Sequence, residues 1–314
     1  MLLVLPTLAA AAVLVAWTPA FSQAMAYVPN EKTGTISVID TATDEVVGEV
    51  PGVDRPRGIA ASRDGKRLYV TSQPRSVIAV DIASRKPAES ITVGDSPEGL
   101  SVSPDGTTVA VAVEDTQSVA FIDTASGKVT AELKVQGKNP EHAVFSPDGR
   151  WLYVSAEDGN TVDVIDAASR RQVGTIAVGR RPRGMAFTPD SRVAYVACEI
   201  DSTVYAIDVA KRATIATIKA GEFTNGVAMH PDGKRVYVSN GRSGSVSAID
   251  TTTNQVVATI AVGQRPWNMA MTPDGAKLYV ANGRSNTVSV IDTRQNRKLK
   301  DIAVGELPWG VVVR

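Results

Sequence analysis

The sequence predicts an all-β fold: a seven-bladed β-propeller of four-stranded antiparallel blades, closed by the C-terminal strand pairing into the N-terminal blade. Three observations predict it. A hydrophobic-Asp pair recurs seven times, as Ile39-Asp40, Val80-Asp81, Ile122-Asp123, Ile165-Asp166, Ile207-Asp208, Ile249-Asp250 and Ile291-Asp292, with successive aspartates 41, 42, 43, 42, 42 and 42 residues apart. A period of about 40 to 45 residues with several β-rich runs per repeat marks propeller blades rather than helical solenoid units. Each unit contains four such runs, and the two ends of the chain hold complementary fractions of one unit.

One unit runs from Gly226-Val227-Ala228-Met229 through the turn His230-Pro231-Asp232-Gly233 to Arg235-Val236-Tyr237-Val238-Ser239, then Ser245 to Ile249, the turn opening at Asp250, and Gln255 to Val262. The runs are rich in Val, Ile, Tyr and Thr and bounded by Gly, Pro, Asn and Asp, the composition of short strands joined by hairpins. The first run of each unit is small, as in Gly58-Ile59-Ala60-Ala61 and Gly99-Leu100-Ser101-Val102. Strands converging on a common axis are crowded, so this run is placed innermost. Pro-Asp-Gly after it supplies the fixed φ and the permissive glycine of a tight hairpin. The recurring aspartates open turns and are expected to be hydrogen-bonded turn formers. Residues 25 to 50 hold only three runs, and Gly310-Val311-Val312-Val313 is an orphan innermost run. Three plus one completes the seventh blade and removes two exposed edges.

The 314 residues are read as a signal peptide over 1–24 followed by a single propeller domain over 25–314. Met1 to Trp17 carries no charge and Ser22-Gln23-Ala24 has the small residues a signal peptidase reads, so cleavage after Ala24 and a periplasmic or secreted location are expected. An apolar run this short falls below the length needed to span a core about 30 Å thick, so no transmembrane span is expected after cleavage. The missing basic start leaves a retained anchor as the alternative. Thirty-three Lys and Arg balance 33 Asp and Glu, which removes the overall field that draws nucleic acids or anionic membranes. Cys198 is the only cysteine, excluding a disulfide framework, covalent haem attachment and a cysteine-rich zinc site. A monomer is expected.

Tyr27-Val28-Pro29-Asn30, Tyr69-Val70-Thr71-Ser72, Tyr237-Val238-Ser239-Asn240 and Tyr279-Val280-Ala281-Asn282, each followed by a Val-Ile-Asp-type run and the last two preceded by Pro-Asp-Gly, resemble the YVTN family of β-propellers over essentially the whole mature chain. The resemblance implies an exported protein. Some members look like accessory proteins of pyrroloquinoline-quinone (PQQ)-dependent alcohol oxidation, and relatives include haem d1-binding and lactonase-like propellers.

Ligand sites on propellers form where loops enter the inner strands around the channel. Laid against the repeat, the residue after the loop proline varies from blade to blade: Arg57, Glu98, Glu141, Arg183, Asn225, Trp267 and Trp309. With His142, these are the candidate ligand-binding residues. Two tryptophans on adjacent blades with Arg57 and Arg183 suit a small planar or anionic ligand, through stacking and charge-assisted hydrogen bonds. Equally, the arginines and glutamates pair with one another and plug the channel. His142 reads either as a polar channel residue or as a general base or axial ligand. His230 reads as a turn residue on the opposite face, and Cys198 as a buried, inert thiol. Glu31, Glu114, Glu157 and Glu199 at the ends of the second strands, with Glu98 and Glu141, offer oxygen ligands for Ca²⁺ or another divalent ion only if different blades converge. Otherwise no cofactor is expected.

No nucleophile elbow, phosphate-cradling Gly loop or His-x-x-x-His pattern is present. The sequence reading therefore favours a non-catalytic exported propeller that binds a partner protein or small ligand at the loop-rich face, accessory to periplasmic PQQ-dependent oxidation. Its alternatives are a metal-assisted, lactonase-like hydrolase and a binder of single-stranded nucleic acid through Trp267, Trp309 and nearby arginines, the last disfavoured by zero net charge.

Overall fold

The structure, a computed structural model, describes residues 24–314, so the expected signal segment lies outside the described residues except for Ala24. Seven four-stranded antiparallel sheets are arranged as blades around one axis. The inner strands of blades two to seven are Pro56–Ala61, Pro97–Val102, Pro140–Phe145, Pro182–Phe187, Thr224–Met229 and Pro266–Met271. Blade one is built from both ends of the chain: Met25–Asn30, Thr35–Asp40 and Glu45–Pro51 take Val312–Val313 as their inner strand. Ala26 pairs with Val313 and Tyr27 with Val312. The Arg314 amide donates to the Met25 carbonyl at 2.8 Å, and the Met25 amide to the Arg314 carbonyl at 2.6 Å. The expected closure is therefore observed.

Apolar alternation on both faces of each sheet packs blade against blade, so the core is divided into layers between neighbours. Tyr69, Val77 and Ala79 of blade two meet Val109, Val111 and Val113 of blade three. Ala26, Val28 and Ile39 of blade one meet Tyr279, Val288 and Val290 of blade seven, which completes the ring. Full burial of such side chains contributes roughly 1.5–3 kcal/mol each.

A polar latch reinforces several of these layers. The turn between the third and fourth strands carries a left-handed residue: Asp44 (φ 57°), Asn254 (φ 55°) and Asn296 (φ 49°) are examples. Asx side chains tolerate that conformation, and here each accepts a hydrogen bond from the buried tyrosine of the preceding blade. Tyr195 Oη donates to Asn254 Oδ1 at 2.9 Å and Tyr237 Oη to Asn296 Oδ1 at 3.1 Å. Tyr279 Oη donates to Asp44, which also pairs with Lys277 at 2.7 Å across the closure. Where the turn residue is Arg212 the latch is absent, and Tyr153 Oη is buried without a partner. The recurring aspartates are turn formers as expected: Asp81 Oδ1 accepts from the Ser84 amide at 2.7 Å and Asp123 Oδ1 from the Ser126 amide at 2.8 Å.

Deleting residues 310–314 is expected to lower the melting temperature sharply or drive oligomerisation; an unchanged, monomeric melt would disprove the closing role. Tyr279→Phe is expected to cost about 1.5–3 kcal/mol, because its acceptor is a charged carboxylate. Tyr153→Phe should be neutral or stabilising. Chemical denaturation of the two variants side by side checks the contrast.

Candidate functional site

Each inner strand starts with an irregularity that aims its variable residue at the channel mouth. In blade two the pairing jumps from Pro56↔Ser72 to Ile59↔Val70, leaving Arg57 and Gly58 opposite a single residue, Thr71. Such a bulge bends the strand and redirects a side chain. The freed amide is met by a hydroxyl on the next strand: Gly58 N donates to Thr71 Oγ1 at 2.7 Å, His142 N to Ser155 Oγ at 3.1 Å and Gly226 N to Ser239 Oγ at 2.8 Å. Arg57, Glu98, Glu141, Arg183, Asn225, Trp267 and Trp309 consequently line one cavity of ≈ 270 Å³ at the loop-rich end of the channel.

The same cavity is lined by Glu31, Glu114, Glu157, Arg181, Arg265 and Asn268. Three of the four second-strand glutamates are buried: Glu31 and Glu157 are each 8% exposed and Glu199 is fully buried behind the lining, while Glu114 is half-buried. Arg57 contacts Glu98 and pairs with Glu31 at 2.9 Å. Arg183 reaches Glu141 at 2.6 Å, Glu157 at 2.8 Å and Glu199 at 2.9 Å. Arg181 reaches Glu157 at 2.5 Å and Arg265 reaches Glu199 at 2.6 Å. The arginines and glutamates thus pair as the plug reading anticipated, yet an open cavity remains above them.

Acids outnumber arginines here, and the imbalance falls on the least-compensated carboxyls. Burial, then the charge of Glu141, push Glu98 up to about 8, outweighing the opposing contact from Arg57. Glu114, also raised by burial and then by Glu141, has no arginine partner; Ser96 Oγ donates to it at 3.0 Å and lies 3.5 Å from Glu98 Oε1. Burial opposes ionisation of Glu141, but Arg183 more than compensates and its value is lowered. At neutral pH the cavity therefore holds a protonated Glu98 beside the ionised Glu141.

His142 does not line this cavity. It occupies, on blade four, the place that is Gly58, Gly99, Gly184, Gly226 and Gly310 on five other blades, and Asn268 holds the same place on blade seven. Its ring stacks on Trp309 with centroids 5.6 Å apart, roofing a second cavity of ≈ 140 Å³ that lies deeper in the channel. Neither ring nitrogen meets a partner in hydrogen-bonding geometry, although the Asn268 amide lies near enough to favour the protonated ring. Burial wins and lowers the value, so His142 is neutral at pH 7. Asn268 was absent from the sequence-derived candidates, and its departure from glycine in the repeat was the available signal. Cys198 is buried and its thiol is pushed up to about 12 by burial, as expected of an inert thiol. His230 sits in its Pro-Asp-Gly turn, 2.7 Å from Asp232. Among the described residues no group of three or more His, Cys, Asp or Glu is arranged to hold a metal ion. Guanidinium groups stand between the glutamates instead, so this donor set does not fit a divalent cation.

Comparison with known proteins places this geometry. Three family models match parts of the chain: "Lactonase, 7-bladed beta-propeller" over residues 168–308, "YNCE-like beta-propeller" over 7–103 and "Cytochrome D1 heme domain" over 108–196. The chain is a seven-bladed β-propeller. No curated protein matches it. Among solved structures, a Kuenenia stuttgartiensis hydrazine synthase chain is 27% identical, with a TM-score of 0.78 over 85% of this chain and 92% of that one. A periplasmic gluconolactonase of Pseudomonas aeruginosa is 20% identical, with a TM-score of 0.79 over 92% and 98%. A dihydro-haem d1 dehydrogenase is 17% identical, with a TM-score of 0.70 over 92% and 74%. These findings correct the expectation of a non-catalytic binding propeller: the lactonase family match over residues 168–308 favours the enzymatic alternative. The expectation failed for a physical reason. The catalytic motifs it sought were contiguous in sequence, whereas the carboxyl and guanidinium groups of this cavity come from different blades. The PQQ association finds no support among these matches.

Glu98 carries a stability signature. In the unfolded chain it titrates near 4.5 and in the fold near 8, so between those values the folded state binds the extra proton. Its contribution is fully present below about pH 4.5 and is lost as pH rises through about 8. Glu98→Gln, which mimics the protonated form, is expected to flatten the fall in melting temperature between about pH 5 and about pH 9. An identical pH dependence in both proteins would refute the elevated value.

Proposed function

We propose that the protein is a hydrolase of small, polar lactones, acting at the mouth cavity without a bound metal. The observation that carries this reading is Glu98: a carboxyl pushed up to about 8 and so protonated at neutral pH, joined through Ser96 to the less encumbered carboxyl of Glu114, in a cavity lined by arginines. Two carboxyls whose environments set them apart are the arrangement expected of an acid and a base. The lactonase family match over 168–308 supports the same class. A cavity of ≈ 270 Å³ lies just below the range of about 300–1,000 Å³ typical of drug-sized ligands, which favours a monosaccharide-sized ring over a tetrapyrrole.

In this reading the lactone rests against Trp267 and Trp309 with its carbonyl oxygen toward Arg57. Glu114, in its carboxylate form, takes a proton from the water that attacks the carbonyl carbon. The Arg57 guanidinium stabilises the oxyanion that forms. As the ring C–O bond breaks, Glu98 gives its proton to the departing oxygen, so one water and one lactone yield one hydroxy acid. Ser96, in contact with both carboxyls, returns the proton from Glu114 to Glu98. We further propose that the enzyme acts outside the cytoplasm, a reading supported by the uncharged run from Met1 to Trp17.

Acid release from D-glucono-1,5-lactone and its 6-phosphate, measured above the spontaneous rate, tests the reading. Glu114→Gln is expected to lower kcat about 10²–10⁴-fold. The wild-type rate should fall as pH passes about 8, where Glu98 loses its proton, and Glu98→Gln should abolish that limb along with most of the activity. Absence of acceleration across a panel of sugar δ- and γ-lactones would overturn it.

A further inference from the structure

The acid ring of the mouth is interrupted on three blades, by Gln73 on blade two and by glycines on the adjacent blades six and seven. The residue after the second strand is Glu31, Glu114, Glu157 and Glu199 on blades one, three, four and five, but Gly241 and Gly283 on blades six and seven, each followed by Arg-Ser. The change removes a carboxylate and a Cβ together, and neighbours use the space. A Cβ on Gly241 would lie 3.0 Å from Arg265 Nη1, and one on Gly283 would lie 2.7 Å from the Trp267 ring. Arg265 therefore extends over Gly241 into a groove of ≈ 570 Å³, lined by Arg242, Arg265, Arg284, Phe223, Gln264 and Ser243 and by no acidic side chain.

The three guanidinium groups are differently committed. Arg265 is paired with Glu199 at 2.6 Å, whereas Arg242 and Arg284 are exposed and make no ion pair among the described residues. Arg242 lies over the Phe223 ring at 4.6 Å and Arg265 at 5.8 Å, so an aromatic ring orients two of the three cations. Both arginine-bearing tips are held in place: Ser243 Oγ accepts from the Glu222 amide at 2.8 Å, and Ser285 Oγ from the Gln264 amide at 2.7 Å. The arginine backbone amides donate to the same two loops at 3.1 Å each. Glu222, the nearest acid in sequence, is exposed and lies outside the lining. Cations held ready on fixed tips lose little freedom when they bind, and the guanidinium fork matches phosphate oxygens.

We infer that this groove binds a phosphoryl group, with Arg242 and Arg284 as its principal ligands and Arg265 shared with the mouth cavity. Arg265 lines both spaces, so a single molecule can seat its phosphate in the groove and its remainder at the mouth. The phosphoryl group has two sources, a substrate's own phosphate or a separate phosphate-bearing molecule. Binding is independent of the hydrolase reading; only the kinetic arm of the test rests on it.

Isothermal titration of the full chain with inorganic phosphate and with pyrophosphate is expected to show saturable binding. Affinity should fall at least about 10-fold, or ~1.4 kcal/mol, in Arg242→Ala/Arg284→Ala. Arg192→Ala, at the opposite face, should leave it unchanged, and an unaltered melt of the double variant would show that the fold is intact. Failure of both anions to bind, or equal affinity in the double variant, would overturn the inference. In the kinetic arm, a rise in KM in the double variant for a phosphorylated lactone alone assigns the phosphate to the substrate. Unchanged KM values together with lost phosphate binding assign it to a separate ligand.

Discussion

A Cβ on Gly58 would stand 2.4 Å from the carbonyl oxygen of Glu98, and one on Gly226 would stand 2.5 Å from that of Trp267. Seven inner strands can meet around one axis only where side chains are deleted at this level, and the mouth, the floor and the deeper cavity all follow from that crowding. Above the glycines the bulged strands open and spread seven different side chains into a ring. At the level of the glycines His142 and Asn268 are the two side chains that remain, and the stack of His142 on Trp309 divides the channel into two spaces. Chain closure serves the same geometry, because Trp309 reaches the mouth only when the C-terminal segment lies on blade one, where its amide donates to the Pro29 carbonyl at 3.0 Å.

The crowding also sets the electrostatics. Six glutamates brought together from four blades would repel one another strongly in a poorly solvated space. Arg183 answers three of them, Arg181 and Arg265 share two of those same three, and Arg57 serves Glu31 and Glu98. What cannot be compensated appears as raised values at Glu98, Glu114 and Glu157. Removing one arginine would leave buried charge unpaired, which costs far more than an exposed pair contributes. The mouth is thus one coupled unit, and the arginine groove beside it exists because blades six and seven withhold their acids.

The repeat made most of the fold readable. The Ile-Asp marks, the small inner runs and the orphan strand at Gly310 to Val313 gave blade number, strand order and closure without any tertiary information, because each depends on local turn chemistry or on crowding that every blade shares. The variable residue after the loop proline was readable on the same ruler, and all seven of those side chains reach one cavity. His142 was singled out but lies below that cavity, since sequence position does not say which side of the glycine layer a side chain occupies. The second-strand glutamates were read as metal ligands should the blades converge; Glu31, Glu157 and Glu199 are instead buried against Arg57, Arg181, Arg183 and Arg265, which come from other loops.

The sequence by itself determined the architecture and the list of exceptional residues, since both rest on a comparison of each blade with its neighbours. Only the tertiary structure decided what those residues do to one another. The protonated state of Glu98, the stack of His142 on Trp309 across the ring, and the separation of an acid-rich from an arginine-rich side of the mouth all depend on distances between blades. Those distances are set by ring closure, which joins groups more than a hundred residues apart, beyond the reach of any local pattern.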